Sequence, residues 1–242
     1  MAGNRGIHMT QVDISVSKEQ INRWLWASFL VLALGNVLAL GLLHFAGIED
    51  GWGVVTLLHF DREQNLPTLF SVLLLLGAGA LAARHAHTEQ APDFLRRGWQ
   101  VVALVLAAMA VDEFAMIHER VDAALRYYLA GHGLPYAAWP IPYVTGVLVL
   151  GVMLWRWFWR LERPLAIALV FAGSIYVTGA AGVELVTGHY LAEIDPDHRG
   201  VTDLTRDLMA TLEESLEITA LVLLVRTLTR HLPPAPPVSA AS

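Results

Sequence analysis

The stretch MAVDEFAMIHER, residues 109–120, closes an apolar run and decides how the chain folds. Asp112 and Glu113 stand where a membrane-spanning helix would normally carry apolar side chains, and His118 and Glu119 follow within the same eight residues. A charged residue at the centre of a membrane helix costs about 2.5–3.5 kcal/mol on an insertion scale. The stretch therefore predicts a helix that turns its acidic side toward other helices and away from lipid.

The composition of the whole chain indicates an integral membrane protein. Of its 242 residues, 55% are hydrophobic and 16% are charged, and the mean hydropathy is +0.50. These values are too apolar for an ordinary soluble domain. The absence of cysteine excludes disulfides, thiolate metal sites, iron–sulfur clusters and cysteine nucleophiles. There is no basic patch, so no nucleic-acid partner is expected.

Six apolar runs predict an all-α, polytopic bundle with about six transmembrane helices. Each run has close to the roughly 20 residues that cross a ~30 Å hydrocarbon core, and backbone groups in lipid must be satisfied within each helix. The runs cover residues 23–46, 67–87, 99–119, 142–160, 164–186 and 207–228. The expected organisation is a tail at 1–22, a transmembrane domain at 23–230 and a Pro-rich disordered tail at 231–242.

The distribution of positive charge predicts the orientation of the bundle. Arginines gather in the loops at 84–98 and 156–163, whereas the first long loop is mainly acidic. Because cytoplasmic loops carry an excess of Lys and Arg, both termini are expected in the cytoplasm. Six tryptophans fall near the same predicted boundary and are interpreted as an aromatic belt. They are Trp24, Trp26, Trp99, Trp155, Trp157 and Trp159. In the fifth run, Ser174, Thr178 and Gly182 recur every four residues, which predicts a face for close helix packing.

The acidic residues of three runs are predicted to meet near the outer face of the membrane. With a rise of 1.5 Å per residue, the acids of the third and sixth runs reach the same level, roughly 20 Å from the cytoplasmic edge. Glu217 comes out deeper, and His118, Glu119 and Glu184 form a second layer further out. His189 lies at or beyond the outer boundary. The seven carboxylates are Asp112, Glu113, Glu119, Glu184, Glu213, Glu214 and Glu217.

This excess of negative charge must be neutralised by protons, water, edge arginines or bound metal. Metal is the simplest answer, because carboxylates and imidazoles form a ligand set that suits iron, zinc or manganese. We expect one or two such ions. The predicted metal ligands are Glu113, His118, Glu119, Glu184, Glu214 and His189, and the predicted catalytic or proton-donating residues are Asp112, Glu213 and Glu217. The chain lacks the Glu-x-x-His pattern of di-metal helix bundles on these helices.

Two classes of function fit these residues. The first is a metal-dependent membrane enzyme whose centre lies in the periplasmic leaflet and acts on a lipid-soluble or small substrate, as an oxidoreductase with iron or a hydrolase with zinc. The second is a transporter or channel in which the same acids carry protons or cations. An accessory subunit of a larger membrane complex, or a homo-oligomer, also fits. The sequence leaves these alternatives open.

The chain resembles a poorly characterised family of small bacterial inner-membrane proteins with about six helices. The motifs that carry the resemblance are NLPTLFS at 65–71, DEFAMIHE at 112–119, YVTGAAGVE at 176–184 and EESLE at 213–217. The similarity extends over most of the chain beyond residue 60. It implies a multi-pass protein of the bacterial inner membrane with these motifs grouped together, and it implies no particular reaction.

Overall fold

A computed structural model describes residues 17–87, 92–129, 136–196 and 201–232. Within these ranges every regular element is helical, which confirms the all-α prediction for this part of the chain. The α-helices are α1 (Lys18–Leu40), α2 (Val54–Leu58), α3 (Leu66–Ala86), α4 (Asp93–Ala115), α5 (Ile117–Tyr128), α6 (Pro140–Phe158), α7 (Arg163–Val177), α8 (Glu184–Ile194) and α9 (Leu204–Arg230). Two π-helical segments continue α1 at Gly41–Phe45 and join α7 to α8 at Thr178–Val183.

Five helical stretches are long and apolar enough to cross a membrane. They are Lys18–Phe45, Leu66–Ala86, Asp93–Ala115, Pro140–Phe158 and Arg163–Ile194. The sixth predicted run lies on α9, which is long enough to span but interrupts its apolar residues with acids and arginines. The described residues therefore fit a membrane protein, with α9 set apart from the other long helices by its charge.

The helix starts follow local signals that the sequence contains. Ser17 opens α1 with a capping box, so α1 begins at Lys18 and includes residues that were expected in the N-terminal tail. The side chain of Asn65 accepts a hydrogen bond from the backbone N–H of Thr68 at 3.1 Å and donates to the carbonyl of His59 at 2.7 Å. Asn65 therefore caps α3 and fixes the preceding loop against it. The rest of the two predicted tails, residues 1–16 and 233–242, lies outside the described residues.

The core lies along α3, α4, α7 and the C-terminal part of α9. Leu75, Ile218 and Leu228 are almost completely buried there. The rings of Trp99 and Trp157 meet edge-to-face with centroids 5.0 Å apart, and both side chains are buried. Two of the six tryptophans assigned to an aromatic belt are therefore core residues, because they pack on each other.

The predicted continuous helix at 99–119 is wrong. The chain breaks at Met116, which has φ 52° and ψ 46° in the left-handed region, so α4 ends at Ala115 and α5 starts at Ile117. This conformation costs a non-glycine residue roughly 1–2 kcal/mol, and no sequence signal marks a methionine for it. The break redirects the chain so that His118 folds back toward Asp112.

The predicted packing face in the fifth run is also wrong. Ser174, Thr178 and Gly182 are exposed, whereas the close approach to α9 occurs at Gly179. A Cβ atom at Gly179 would lie 3.0 Å from the backbone oxygen of Glu213. The π-helical segment Thr178–Val183 shifts the register, which places a glycine against α9 instead of the four-residue repeat.

Candidate metal centre and acidic cavity

A cavity of about 1030 Å³ lies between α4, α5, α6, the π-helical segment, α8 and α9, and the loop before α3 closes one side. Its wall carries ten carboxylates. They are Asp61, Glu63, Asp112, Glu113, Glu119, Asp122, Glu184, Glu213, Glu214 and Glu217. The only basic side chains among the described lining residues are those of His118 and Arg206. The cavity is therefore strongly acidic.

The structure brings eight of the nine site residues predicted from the sequence to this wall. The exception is His189, which is exposed and does not line the cavity. His189 follows Glu184 by five residues on α8, and this spacing turns it about 140° away from Glu184 around the helix. The prediction of His189 as a ligand finds no support in this placement.

One group on the wall has the spacing of metal ligands. Glu63, His118 and Glu119 each offer a ligand atom, and these three atoms lie within 4.8 Å of one another. They are the only residues of the described chain that form such a group. Glu113, Glu184 and Glu214, which the sequence also suggested as ligands, line the cavity outside it.

Glu63 was missed because it lies in a loop, outside every predicted span. The Asn65 cap and the start of α3 at Leu66 hold this loop over the cavity. Two signals in the sequence pointed to it: the acids of the segment DREQ at 61–64 and their position directly before NLPTLFS.

His118 is oriented by Asp112. Nδ1 of His118 lies 3.1 Å from Oδ2 of Asp112, and the hydroxyl of Tyr143 donates to Oδ1 of the same carboxylate at 2.6 Å. Because Asp112 engages Nδ1, Nε2 is the nitrogen that remains for a metal. A carboxylate behind a histidine in this way is the usual arrangement around metal-binding imidazoles.

The titration of these groups reflects burial and crowding. Burial lowers the pKa of His118, but the hydrogen bond and charge of Asp112, together with neighbouring carboxylates, outweigh burial and raise that pKa above its ordinary value. Burial, followed by the charge of Glu119, raises the pKa of Glu63. Crowded carboxylates of this kind favour the uptake of a proton or another cation over two unpaired negative charges.

A second polar cluster lies beside the cavity at the start of α9. Nε2 of His44 lies 2.7 Å from Oδ2 of Asp207, and Nε2 of His59 lies 3.4 Å from the same oxygen. The neighbouring Arg206 pairs with Asp61 at 2.7 Å. Burial raises the pKa of Asp61 to about 6 even though the charge of Arg206 opposes this shift. The π-helical end of α1 carries His44 to this cluster.

The N-terminal end of α6 is fixed by polar contacts that also close the cavity. Oδ1 of Asp122 accepts the backbone N–H groups of Ala138 at 2.6 Å and Trp139 at 3.1 Å. The indole Nε1 of Trp139 donates to Oε1 of Glu184 at 3.3 Å. These bonds link α5, α6 and α8 around the acidic wall.

A family model described as a domain of unknown function (DUF8692) matches residues 21–232. No curated protein and no solved structure matches the chain.

Proposed function

We propose that this chain, which belongs to the family described as a domain of unknown function (DUF8692), is a metal-dependent membrane enzyme that acts on a lipid-soluble substrate. The observation that carries the proposal is the group formed by Glu63, His118 and Glu119 on the wall of one large cavity. In this proposal the protein is a multi-pass protein of the bacterial inner membrane with six spans, including α9, and both termini in the cytoplasm.

The donor set fits a catalytic metal site. Two carboxylates and one imidazole supply three protein ligands for iron, zinc or manganese and leave positions open for water or substrate, as catalytic sites do. When bound there, such an ion would act as a Lewis acid and would lower the pKa of a coordinated water molecule. Asp112 keeps the proton of His118 on Nδ1, and the hydroxyl of Tyr143 holds Asp112 in place.

The remaining carboxylates are placed to handle protons. Glu113 and Glu213 line the same cavity as the three ligands but lie outside the ligand group. A carboxylate that is not bound to a metal can accept a proton from water and return it to a leaving group. We assign this proton-transfer role to Glu113 and Glu213. Glu217 lies deeper, beside Tyr176, and we propose that it supports the same proton transfer.

The apolar part of the cavity supports a lipid-soluble substrate. Side chains of α4 and α6 cover the wall away from the acids: Val105, Met109, Val144, Val147, Leu148 and Leu150. Pockets that bind small molecules usually combine such apolar surface with a few polar groups. A substrate with a polar end and a hydrocarbon part would fit both regions.

A second candidate is transport of protons or cations. The observation that favours it is the run of acids along α9, in which Asp207, Glu213, Glu214 and Glu217 extend over eleven residues, or roughly 15 Å of helix. Ionisable residues within membrane helices often mark such pathways. Both functions use the same wall, and they differ in whether a metal is held stoichiometrically.

The test is metal analysis of the purified protein. We expect about one equivalent of a transition metal per chain, which Glu63→Gln and His118→Gln lose because each removes one of three ligands. Matched controls are Glu193→Gln and His189→Gln, since both residues are exposed and should leave the metal content unchanged. Folded wild-type protein without metal that moves protons or cations in liposomes would reject the enzyme and favour transport.

A further inference from the structure

We propose that the cavity binds an amphiphile with a protonated amine as its head group. The inference rests on the proposed function, because it names the substrate class of the same cavity. It begins with Thr187, which is 6% exposed, lines the cavity, and has a side-chain Oγ1 with no hydrogen-bond partner among the described residues. Buried hydroxyl groups are almost always paired, so an unpaired one at a cavity wall points to a ligand.

The neighbours of Thr187 on α8 continue the same surface. Glu184 lies three residues before it and Leu191 four residues after it, so all three fall on one face of the helix, and all three line the cavity. This face offers a carboxylate, a free hydroxyl and an apolar side chain in order along about 10 Å of helix. A molecule with a polar head and an apolar tail matches that order.

The charge of the cavity decides which head group fits. Asp61 pairs with Arg206 and Asp122 pairs with Arg126. Five other carboxylates of the wall have no Arg, Lys or His within ion-pair distance among the described residues: Glu113, Glu184, Glu213, Glu214 and Glu217. A metal at Glu63, His118 and Glu119 would neutralise its own ligands and leave these acids unmatched.

An ammonium group complements this wall directly. It carries three donors and one positive charge, so it can donate to Oγ1 of Thr187 and pair with Glu184 at once. A carboxylate or phosphate head group would instead add negative charge to an acidic wall. The alkyl chain would then lie on the apolar side of the cavity, against Val144, Val147 and Leu148 of α6.

The test measures binding of dodecylamine to the full chain, purified in a neutral maltoside detergent, by native mass spectrometry. Dodecanol and dodecanoate serve as probes of equal chain length. We expect the amine to bind at least about tenfold more tightly than either, since hydrogen bonds to a charged group are among the stronger ones. Equal binding of the alcohol, or preference for the carboxylate, would overturn the proposal.

Two variants locate the head group. Thr187→Val and Glu184→Gln should each weaken amine binding about tenfold and leave binding of dodecanol unchanged. Thr229→Val is the matched control, because its hydroxyl bonds to the carbonyl of Val225 within α9 and it does not line the cavity. Amine binding that is insensitive to Thr187→Val would place the head group elsewhere and reject the assignment.

Two further readouts separate this inference from misfolding and from failure of the proposed function. Because Thr187→Val removes an unpaired buried hydroxyl, the ligand-free variant should melt at or above the wild-type temperature. Amine binding is measured on chelator-treated as well as metal-loaded protein, with metal content determined on the same samples. A protein that binds metal but does not prefer the amine would reject this inference and leave the proposed metal centre standing. A protein that prefers the amine but takes up no metal would support this inference and reject the metal centre.

Discussion

The two halves of α9 share one helix and have opposite surroundings. The acidic half, Leu204–Glu217, lines the cavity with carboxylates and approaches the π-helical segment. The packed half, Ile218–Arg230, buries apolar side chains against α3 and α7, with Ile218 and Leu228 fully enclosed. The difference shows that one part of the helix holds the fold together, which leaves the other part free to carry groups that would destabilise a core.

Helix α6 is divided in the same way, with its attachments at the two ends. It buries Pro140 at one end and Trp157 at the other, while most of the helix between them is exposed. Trp157 enters the core beside Trp99, and the Asp122 bonds fix the start near Pro140. The middle of α6 therefore forms a thin wall of the cavity, which lipid would cover on its outer side.

The largest effect on the free energy of unfolding is expected at the boundary between the two halves of α9, which lies between Glu217 and Ile218. Ile218→Ala should lower the free energy of unfolding by about 2–5 kcal/mol, because it leaves a cavity in a closed core. Glu217→Gln, one residue earlier, should change it by about 1 kcal/mol or less, because it removes no apolar packing. Thermal unfolding in detergent measures both, and similar losses for the two variants would erase the distinction between the halves.

The pH dependence of stability should come from the acidic half and its loop. Because the pKa of Asp61 is raised from 3.8 to about 6, the folded protein holds a proton that the unfolded chain releases between these values. The stabilisation of the folded state that results is fully present below about pH 4 and is lost as pH rises through about 6. Its contribution to the free energy of unfolding is on the order of 3 kcal/mol at most.

Asp61→Asn should therefore flatten the decline in melting temperature between pH 4 and pH 7. Asp93→Asn is the control, because the side chain of Asp93 is 82% exposed. A variant at Asp61 that retains the wild-type profile would assign the pH dependence to other groups.

Overpacking should distinguish the packed core from the exposed part of α6. A Cβ atom at Gly98 would lie 2.0 Å from Cδ1 of the buried Trp157, so Gly98→Ala should cost about 1–3 kcal/mol. Gly151→Ala on α6 meets nothing within 4 Å and should be neutral or slightly stabilising, since alanine favours helix. Equal melting temperatures for the two variants would contradict the packing of Trp157 against α4.

The last effect is expected behind the proposed metal site, on metal affinity rather than on folding. Asp112→Asn should weaken metal affinity by about 10–100-fold, as changes to groups that orient a ligand usually do. Tyr143→Phe should have a smaller effect in the same direction, because it removes only the hydrogen bond to Asp112. Competition with a metal-sensitive dye measures both affinities, and an unchanged affinity in Asp112→Asn would remove Asp112 from this role.

Much of the fold could be predicted because each signal was local. The apolar runs located the long helices, and Pro67 and Pro164 fall within the first turn of α3 and α7, where a missing N–H costs least. The acids on these runs led to the cavity, since charge within a membrane helix must face other helices. The side-chain amide of Asn36 donates to Oγ1 of Thr211 at 2.8 Å, which links α1 to α9.

The remaining features depend on tertiary packing that no short pattern encodes. Met116 adopts a left-handed conformation that its side chain does not favour, so the break between α4 and α5 could not be inferred. Glu63 reaches the cavity only because the Asn65 cap folds its loop inward. His189 faces outward because α8 is a regular α-helix beyond Glu184, whereas a five-residue alignment would need a π turn at that point.

The most direct test of the central claim is X-ray absorption spectroscopy of the metal in the purified protein. We predict a shell of nitrogen and oxygen atoms at about 2.0–2.2 Å with the signature of one imidazole, and this signature should disappear in His118→Gln and persist in His189→Gln. A metal with no imidazole ligand, or one whose spectrum is unchanged in His118→Gln, would contradict a centre built from Glu63, His118 and Glu119.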